Sequence, residues 1–299
     1  MNSGVEDSLA VAWRLAALRK GYAGPHLLPS YQVEQRTQMI GRSKRCHEHS
    51  MVHIPRIQWY LEHPNKNCIN EDNEEGEALR KKLHDWLMFH GSECLDRGIE
   101  VDTRYCSPVI FRDGEEDSLA AQPRWDYKEY VPGTWPGMRA PHVFLEDGKT
   151  STVDFFRGEW TLVGFDALMD GPMSAIRANG QGINETSKRS TTILNVAKGL
   201  EMPIIHVNFA KRGHVHEIWG PDFDLFLVRA DGHVAWRGKT AAPINEASAR
   251  QILGVVTGHE VCPGFEEEVQ DMDAIVKLTQ GFDETTAAEV EKPVMMSYD

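Results

Sequence analysis

Three histidines near the start of the chain are the first residues whose spacing suggests chemistry. His49 and His53 are four positions apart, so a helix would carry both on one face, as two ligands of a metal ion require. No carboxylate or third ligand is evident on that face, because His47 would point elsewhere. A polar helix surface is therefore favoured over a metal site. His214 and His216 would share one face of a strand, but an ordinary edge-strand or loop pair is again the favoured interpretation.

Aromatic side chains suggest a second kind of chemistry, the binding of a hydrophobic small molecule. Trp59 and Tyr60 are adjacent, and together with Trp13, Trp86 and Met39 they are able to line an apolar cavity. Aromatics at helical spacing more often form ordinary core, which is the competing interpretation. No nucleophile elbow, P-loop or calcium loop is present, and the Ser, His and Asp residues have no spacing that singles out a triad. Catalytic residues therefore stay unassigned.

Composition excludes several classes of partner. The formal net charge of −13 over 299 residues repels phosphate backbones, which argues against nucleic acid. No apolar run approaches the ~20 residues that cross a bilayer, and the acidic first residues do not form a secretion signal. The five cysteines are widely spaced without a C-x-x-C pair, so we expect neither disulfides nor a structural zinc. The sequence predicts a soluble cytoplasmic protein without nucleic-acid or membrane partners.

The first part of the chain has helical periodicity. Ser3 and Glu6 have the form of a capping box, and the apolar stripe that follows predicts a helix that stops at Gly21. A second helix is predicted over residues 28 to 61, with Pro55 marking a kink or a break. The acidic residues 65 to 77 suggest a solvated loop, residues 77 to 95 a third helix, and residues 99 to 105 a strand.

The second part has the pattern of a small α/β domain. Asp231-Gly232 lies between two strand-like runs and predicts a hairpin with a type I′ turn, and Asp147-Gly148 predicts another turn before a buried strand. Between them lie a helix candidate at 188 to 198 and a strand candidate at 204 to 209. Strand, helix, strand and hairpin in this order predict an α/β fold with a thioredoxin-like domain that lacks the C-x-x-C redox pair. A further helix is predicted at 264 to 281, followed by a loose tail.

Four segments also resemble a known family, in the same order. Residues 1 to 16 (MNSGVEDS and AWRLA) are similar to the helix "GMNTGIQDA…NLAWKLA" of the FAD-dependent aromatic monooxygenases of the phenol 2-monooxygenase type, which include the hydroxylases of aromatic polyketides. Residues 28 to 36 (LPSYQVEQR) resemble that family's "LLDSYEAERRP", and residues 98 to 108 its "LGYRYDSP" strand. Residues 136 to 237 resemble its thioredoxin-like terminal domain. The chain thus resembles the C-terminal portion of such an enzyme.

The resemblance implies a division of the chain. Residues 1–111 would be a helical remnant of the flavoprotein's FAD and substrate region, and residues 112–135 a linker. Residues 136–262 would form the thioredoxin-like domain, and residues 263–299 a C-terminal helix with a loose tail. The overall class is α/β (α+β), a helical segment followed by the thioredoxin-like domain.

The family's flavin motif has no counterpart in this sequence. In the family a G-x-G-x-x-G turn holds the pyrophosphate of FAD at a helix N-terminus. The nearest match here, Gly180-Gln-Gly182, lacks the third glycine and follows no predicted strand. We therefore expect no cofactor to be bound by this chain alone, with FAD as the alternative.

Three functions follow as hypotheses. The first is a cofactor-independent biosynthetic enzyme of secondary metabolism that catalyses a non-redox cyclisation or isomerisation, for example a pericyclic step, of a hydrophobic intermediate. The second is an FAD-dependent aromatic monooxygenase fragment or subunit that needs a partner chain. The third is a non-enzymatic binding or dimerisation module, with a homodimer as its expected state.

The first hypothesis places the substrate in a cavity between the helices of residues 1 to 95 and the terminal domain. The predicted substrate-binding residues are His53, Trp59, Tyr60 and Tyr105. Arg139 and His142, at the entry to the terminal domain, are expected to brace it rather than to perform chemistry.

Overall fold

The computed structural model describes residues 2–90, 96–156, 158–166 and 185–265. The helices are α1 (Asn2–Lys20), α2 (Ser30–Glu62), α3 (Glu74–His90), α4 (Arg97–Val101), α5 (Glu185–Gly199), α6 (Gly213–Trp219) and α7 (Glu246–Val256). The strands are β1 (Trp160–Asp166), β2 (Ile204–Ala210), β3 (Phe223–Val228) and β4 (Val234–Lys239). Short 3₁₀ helices lie at Lys66–Asn70, Glu115–Asp117, Leu119–Ala121 and Thr152–Phe155. The predicted helix at 264 to 281 and the tail lie almost wholly outside the described residues.

The first two predicted helices are confirmed. Helix α1 ends where predicted, at Gly21, whose φ of 84° is the left-handed conformation that glycine adopts without strain. Its start was predicted wrongly, because Ser3 lies inside the helix rather than capping it. Helix α2 continues across Pro55 without a break, although the proline ring has no N–H to donate to the preceding turn.

Helix α3 begins three residues earlier than predicted. The side-chain Oδ1 of Asn73 accepts a hydrogen bond from the backbone N–H of Gly76 at 2.9 Å, which satisfies one of the free donors of the first turn. The first turn also carries three carboxylates, which stabilise the helix because they lie at the positive end of its dipole: Glu74, Glu75 and Glu77. The predicted solvated loop at 65 to 77 is therefore partly wrong, since most of it is helical.

The strand predicted at residues 99 to 105 is wrong. Its first three residues belong to α4 instead, and its only β pairing in the described structure is an isolated bridge between Arg104 and Met138. Gly98 explains the close packing, because its N–H donates to the carbonyl of Tyr127 at 2.9 Å and a Cβ there would meet the Asp126 carbonyl oxygen at 1.8 Å. Alternating residue types suggested a strand, but this long-range contact decides the backbone.

The α/β fold class is confirmed by a four-stranded mixed sheet. The strand order is β2-β1-β3-β4, with β1 parallel to β2 and antiparallel to β3, and with β3 antiparallel to β4. The buried run of β1 alternates between two cores: Leu162 packs with α5 and α7 on one face, and Val163 and Phe165 pack with α6 on the other. The thioredoxin-like label itself remains a prediction, based on this order of elements.

The predicted hairpin at Asp231-Gly232 is confirmed, but its turn is not type I′. That turn requires a positive φ at both central residues, and only Gly232 has one, at 84°. Arg229 pairs with His233 across a three-residue loop, and the N–H of Gly232 donates to the carbonyl of Arg229. The carboxylate of Asp231 accepts from the N–H of His233 at 3.3 Å and contacts the Arg229 guanidinium, which favours this longer loop.

The helical segment and the sheet share one core. Trp13 and Ala17 of α1 belong to the same buried cluster as Trp160 of β1, and the two tryptophan rings meet edge to face at 6.0 Å. Leu119 and Trp135 of the predicted linker are buried in that cluster too. The division into a remnant, a linker and a domain remains a prediction. Within the described part of the chain, no helix combines the length and apolarity needed to cross a membrane.

Candidate functional site

A pocket of about 300 Å³ lies between α2 and α3, beside the 3₁₀ helix Lys66–Asn70. Its lining comes from all three elements: Arg56, Ile57, Tyr60 and Leu61 from α2, Ile69 from the 3₁₀ helix, and Leu83 from α3. This volume is at the lower end of the range of ligand sites, about 300 to 1,000 Å³. It suits a compound of one or two rings.

A small hydrophobic cluster holds the two helices together beside the pocket. Trp59, Cys68 and Leu79 form its buried centre, with Tyr60 and Leu83 packed against it. Trp59 is only 5% exposed, so its side chain stabilises the α2–α3 pair. Ile57 and Leu61, in contrast, are 50% and 58% exposed, so one wall of the pocket faces solvent. A ligand can therefore enter without unfolding the helices.

The four predicted substrate-binding residues are only partly brought together. Tyr60 lines the pocket, Trp59 lies in the adjoining core, and the ring nitrogen Nδ1 of His53 is 2.8 Å from Nη2 of the lining residue Arg56. Tyr105 lies elsewhere, in a buried polar cluster described below. The pocket lies between two helices, whereas the sequence suggested a cavity against the terminal domain. A role in substrate binding remains a prediction for all four residues.

The remaining aromatic candidates are dispersed. Trp13 belongs to the main core, Trp86 is buried in α3, and Met39 is exposed on α2. Trp13 and Trp86 are therefore ordinary core residues and do not line the pocket, as the competing interpretation of the aromatic pattern held.

Sequence reasoning missed most of the pocket wall. Ile57 and Leu61 are four residues apart in a predicted helix, which is a usable signal for one apolar face. Ile69 could not be found in this way, because its segment reads as an acidic solvated loop. Leu83 was recognised as helical, but its distance from α2 depends on how the chain turns between residues 63 and 73.

Tyr105 belongs to a buried charge cluster that joins the helices to the hairpin. Glu34 of α2 binds two arginines, Arg14 at 2.6 Å and Arg229 at 2.7 Å, and all three side chains are fully buried. Burial alone would raise the pKa of Glu34, but the two guanidinium groups outweigh it and lower that pKa to about 2. Glu34 is therefore ionised at neutral pH, and the cluster acts as an ionic joint.

The hydroxyl of Tyr105 is held beside this joint. It accepts a hydrogen bond from Gln35 at 3.1 Å and donates to Glu6 at 3.1 Å, while its ring lies 4.3 Å from the ring of His233. Burial, followed by the nearby carboxylates of Asp231, Glu34 and Glu6, raises the pKa of Tyr105 well above its ordinary value. The phenol is thus a neutral structural hydrogen-bonding group at physiological pH.

The histidine pairs differ from expectation in two ways. The sequence showed no carboxylate for the His49 face, yet Asp96 supplies one: its Oδ2 lies 3.0 Å from Nε2 of His49 and its other oxygen binds Arg45. His214 and His216 lie in α6 rather than on a strand, and Nε2 of His214 contacts the carbonyl of Phe144 at 2.6 Å. No group of three or more metal-ligating side chains occurs among the described residues.

These observations define a mixed α/β protein whose N-terminal helices carry a small apolar pocket. Residues 133–259 match the family described as aromatic-ring hydroxylase, C-terminal. The resemblance to the C-terminal portion of the FAD-dependent phenol and polyketide monooxygenases is thereby confirmed.

Individual relatives match a longer stretch. The FAD-dependent monooxygenase apdD of Emericella nidulans is 31% identical over 87% of this chain and 38% of its own length. The phenol 2-monooxygenase of a Pseudomonas species is 25% identical over 84% of this chain and 42% of its own length. The structure of the rebeccamycin biosynthetic enzyme RebC with reduced flavin is similar with a TM-score of 0.62 and 26% identity, over 86% of this chain and 41% of RebC. The chain spans about two fifths of the length of the curated relatives it matches.

Proposed function

We propose that this chain is a biosynthetic protein of the flavin-monooxygenase type and that it binds a hydrophobic ring compound in the pocket between α2 and α3. The observation that carries the proposal is the pocket itself, whose lining is apolar or aromatic except for Arg56. The relatives support the compound class, since their names include a phenol 2-monooxygenase and a putative polyketide hydroxylase. RebC supports the biosynthetic role, as it is a biosynthetic enzyme.

The described residues do not fit FAD. Retaining a dinucleotide requires a glycine-rich turn between a strand and a helix N-terminus that binds the pyrophosphate. In the described ranges, the turn from β2 to α6 has one glycine, Gly213, and leads into a helix of seven residues. The pair Gly180 and Gly182 lies outside the described residues. A flavin would therefore have to be held by polypeptide other than the described segments.

The reaction that the described residues favour is a non-redox cyclisation or isomerisation. Among these residues, no carboxylate or histidine lines the pocket, and apart from the Tyr60 phenol and the Arg56 guanidinium its walls offer apolar contacts that bind and orient a ligand. Holding a substrate in a reactive conformation contributes ~7 to 11 kcal/mol to lowering a barrier in favourable intramolecular cases. This agrees with the first of the three hypotheses drawn from the sequence.

The second candidate is aromatic hydroxylation with FAD, and the relatives favour it. The names of apdD and opdD specify FAD-dependent monooxygenases, and RebC was seen with reduced flavin. In that case this chain would contribute the pocket and the C-terminal domain, and the flavin would be bound by another polypeptide region.

Both parts of the proposal are tested by titrating the purified protein with 2-naphthol in a calorimeter and, separately, with FAD. We expect 2-naphthol to bind, and Tyr60→Ala to weaken binding about tenfold, because an aromatic contact contributes about 1.5 kcal/mol. Tyr31→Ala, a matched change on α2 away from the pocket, should leave binding unchanged. Trp59→Ala is unsuitable as a test, since it removes a core side chain and costs about 3 to 5 kcal/mol of stability.

The outcomes separate the candidates. No binding of 2-naphthol, or equal binding to the Tyr60→Ala variant, rejects the pocket as the ligand site. A visible flavin band that persists after gel filtration with FAD selects hydroxylation. Naphthol binding without flavin retention supports a ligand site that does not depend on a flavin held by this chain.

A further inference from the structure

Among the described residues, Arg56 is the one charged side chain that lines the α2–α3 pocket. It faces the same cavity as Ile57, Tyr60 and Leu83, and it is itself partly buried. A guanidinium beside apolar surface has lost part of its contact with water, so it is stabilised by any anion that approaches it.

The Arg56 guanidinium has more N–H donors than its contact with His53 uses. Its Nη2 donates to Nδ1 of His53 at 2.8 Å, which must accept because an arginine side chain has no acceptor. This contact uses one of five N–H groups. Across the described segments, no carboxylate lies within ion-pairing distance of Arg56.

Three other arginines of the N-terminal helices are neutralised by carboxylates. Arg14 pairs with Glu34, Arg42 with Glu6 at 2.5 Å, and Arg45 with Asp96 at 2.9 Å. These are structural ion pairs between elements. Arg56 differs from these three, since it contacts the Nδ1 nitrogen of His53, which fixes its position while its charge stays available at the pocket.

We propose that Arg56 is the specificity-determining residue of this pocket, which selects ring compounds that carry an ionised oxygen, a carboxylate or a phenolate. The inference rests on the proposed function, because it assumes that the α2–α3 pocket is the ligand site. The ring occupies the space between Tyr60, Ile69 and Leu83, and the oxyanion accepts hydrogen bonds from the Arg56 guanidinium. His53 is a positioning residue that holds the guanidinium at the pocket.

Calorimetric titration of the purified protein with matched probes tests this assignment. The probes are 2-naphthoate, the neutral 2-naphthalenemethanol of nearly the same shape, and 4-nitrophenol above the pH of its own ionisation as the phenolate. We expect at least one of the two anions to bind about tenfold more tightly than the neutral alcohol, as a charge-assisted hydrogen bond provides. A preference for 2-naphthoate shows that the pocket binds carboxylates, and a preference for 4-nitrophenolate shows that it binds phenolates.

Three variants make the test specific. Arg56→Gln should abolish the preference for the anion while binding of the alcohol stays within twofold, and Arg56→Lys should restore part of the preference. Arg19→Gln, the same change at an exposed position of α1, should have no effect. An unchanged thermal unfolding midpoint in Arg56→Gln shows that the fold is intact.

The inference and the function on which it rests fail differently. Equal affinity for the anions and the alcohol in the wild-type protein, or an anion preference that survives Arg56→Gln, overturns the role of Arg56 but leaves the pocket as a ligand site. Binding of none of the three probes overturns both.

Discussion

Glu34 is a buried carboxylate shared by two arginines from distant parts of the chain. Arg14 comes from α1 and Arg229 from the end of β3, so a single side chain on α2 joins three elements. Removing one member of such a buried group leaves the others as uncompensated charges, which is far more costly than losing a surface ion pair.

Replacing Glu34 by glutamine should therefore destabilise the protein by about 3 to 5 kcal/mol near neutral pH. Glu246→Gln is the control, because Glu246 forms an exposed pair with Arg250 and its loss should cost less than about 1 kcal/mol. Urea unfolding of the wild type and both variants measures these differences. A change of less than about 1 kcal/mol in Glu34→Gln would show that the buried joint contributes little.

The same residue predicts a pH dependence. The pKa of Glu34 is about 2 in the folded protein, below its ordinary value of 4.5, so the stabilisation from its charge is fully present above about 4.5 and is lost as the pH falls towards 2. The stability gap between wild type and Glu34→Gln should accordingly shrink from about pH 5 to about pH 3. A gap that stays constant over this window contradicts the assignment.

At the scale of elements, helix α1 is fixed to the sheet domain by a close backbone contact. The N–H of Gly24 donates to the carbonyl of Thr257 at 2.8 Å, just after α7, and His26 donates to Gly258 at 2.9 Å. A Cβ on Gly24 would lie 2.2 Å from the backbone nitrogen of His259. Only glycine allows the two segments to approach so closely.

Gly24→Ala should therefore destabilise the protein by about 1 to 3 kcal/mol, the usual cost of overpacking. Gly4→Ala is the matched control, because Gly4 lies in α1 with open space where a Cβ would be added, and this change should gain about 0.5 to 1 kcal/mol. If the contact is tight, the thermal unfolding midpoint falls below that of the wild type in Gly24→Ala and rises above it in Gly4→Ala. Shifts of the same sign would mean that the segment relaxes without cost.

Periodicity predicted the elements whose own side chains decide their structure. The helices α1 and α2 and the strands β1 and β2 were visible as apolar patterns, α5 was predicted from a polar stretch with helical potential, and the hairpin was predicted from its Asp-Gly pair. One failure lies where a distant partner decides, since Gly98 packs against Asp126 where the sequence predicted a strand, and such a contact leaves no local pattern. The other failure is local, because the contact of Asp231 with Arg229, two residues earlier, favours a longer turn than the Asp-Gly pair predicted.

The candidate site was predictable to a smaller extent. Tyr60 was identified from an aromatic pair, but its neighbour Trp59 belongs to the core, because consecutive helix residues point about 100° apart. Tyr105 was predicted to lie in the same wall, yet its hydroxyl binds Gln35 and Glu6 beside the ionic joint. Residues of one pocket come from three elements here, and their meeting depends on tertiary packing.

For the whole molecule, two observations frame the proposed function. The helices and the sheet share one core, so the pocket-bearing α2 is fixed relative to the aromatic-ring hydroxylase C-terminal domain at residues 133–259. The matched relatives extend well beyond the aligned part, since this chain covers only 38% of apdD and 42% of the phenol 2-monooxygenase. The activity of the relatives therefore remains a proposal for this chain.

The central claim is that a hydrophobic ring compound binds between α2 and α3, and methyl NMR of isoleucine- and leucine-labelled protein titrated with 2-naphthol tests it most directly. The reporters are the aliphatic lining residues Ile57, Leu61, Ile69 and Leu83. We predict saturable shifts of these methyl signals, while those of the sheet core, such as Leu162 and Leu225, stay in place. Shifts that occur only in the sheet core, or no saturable shift at all, would contradict the account.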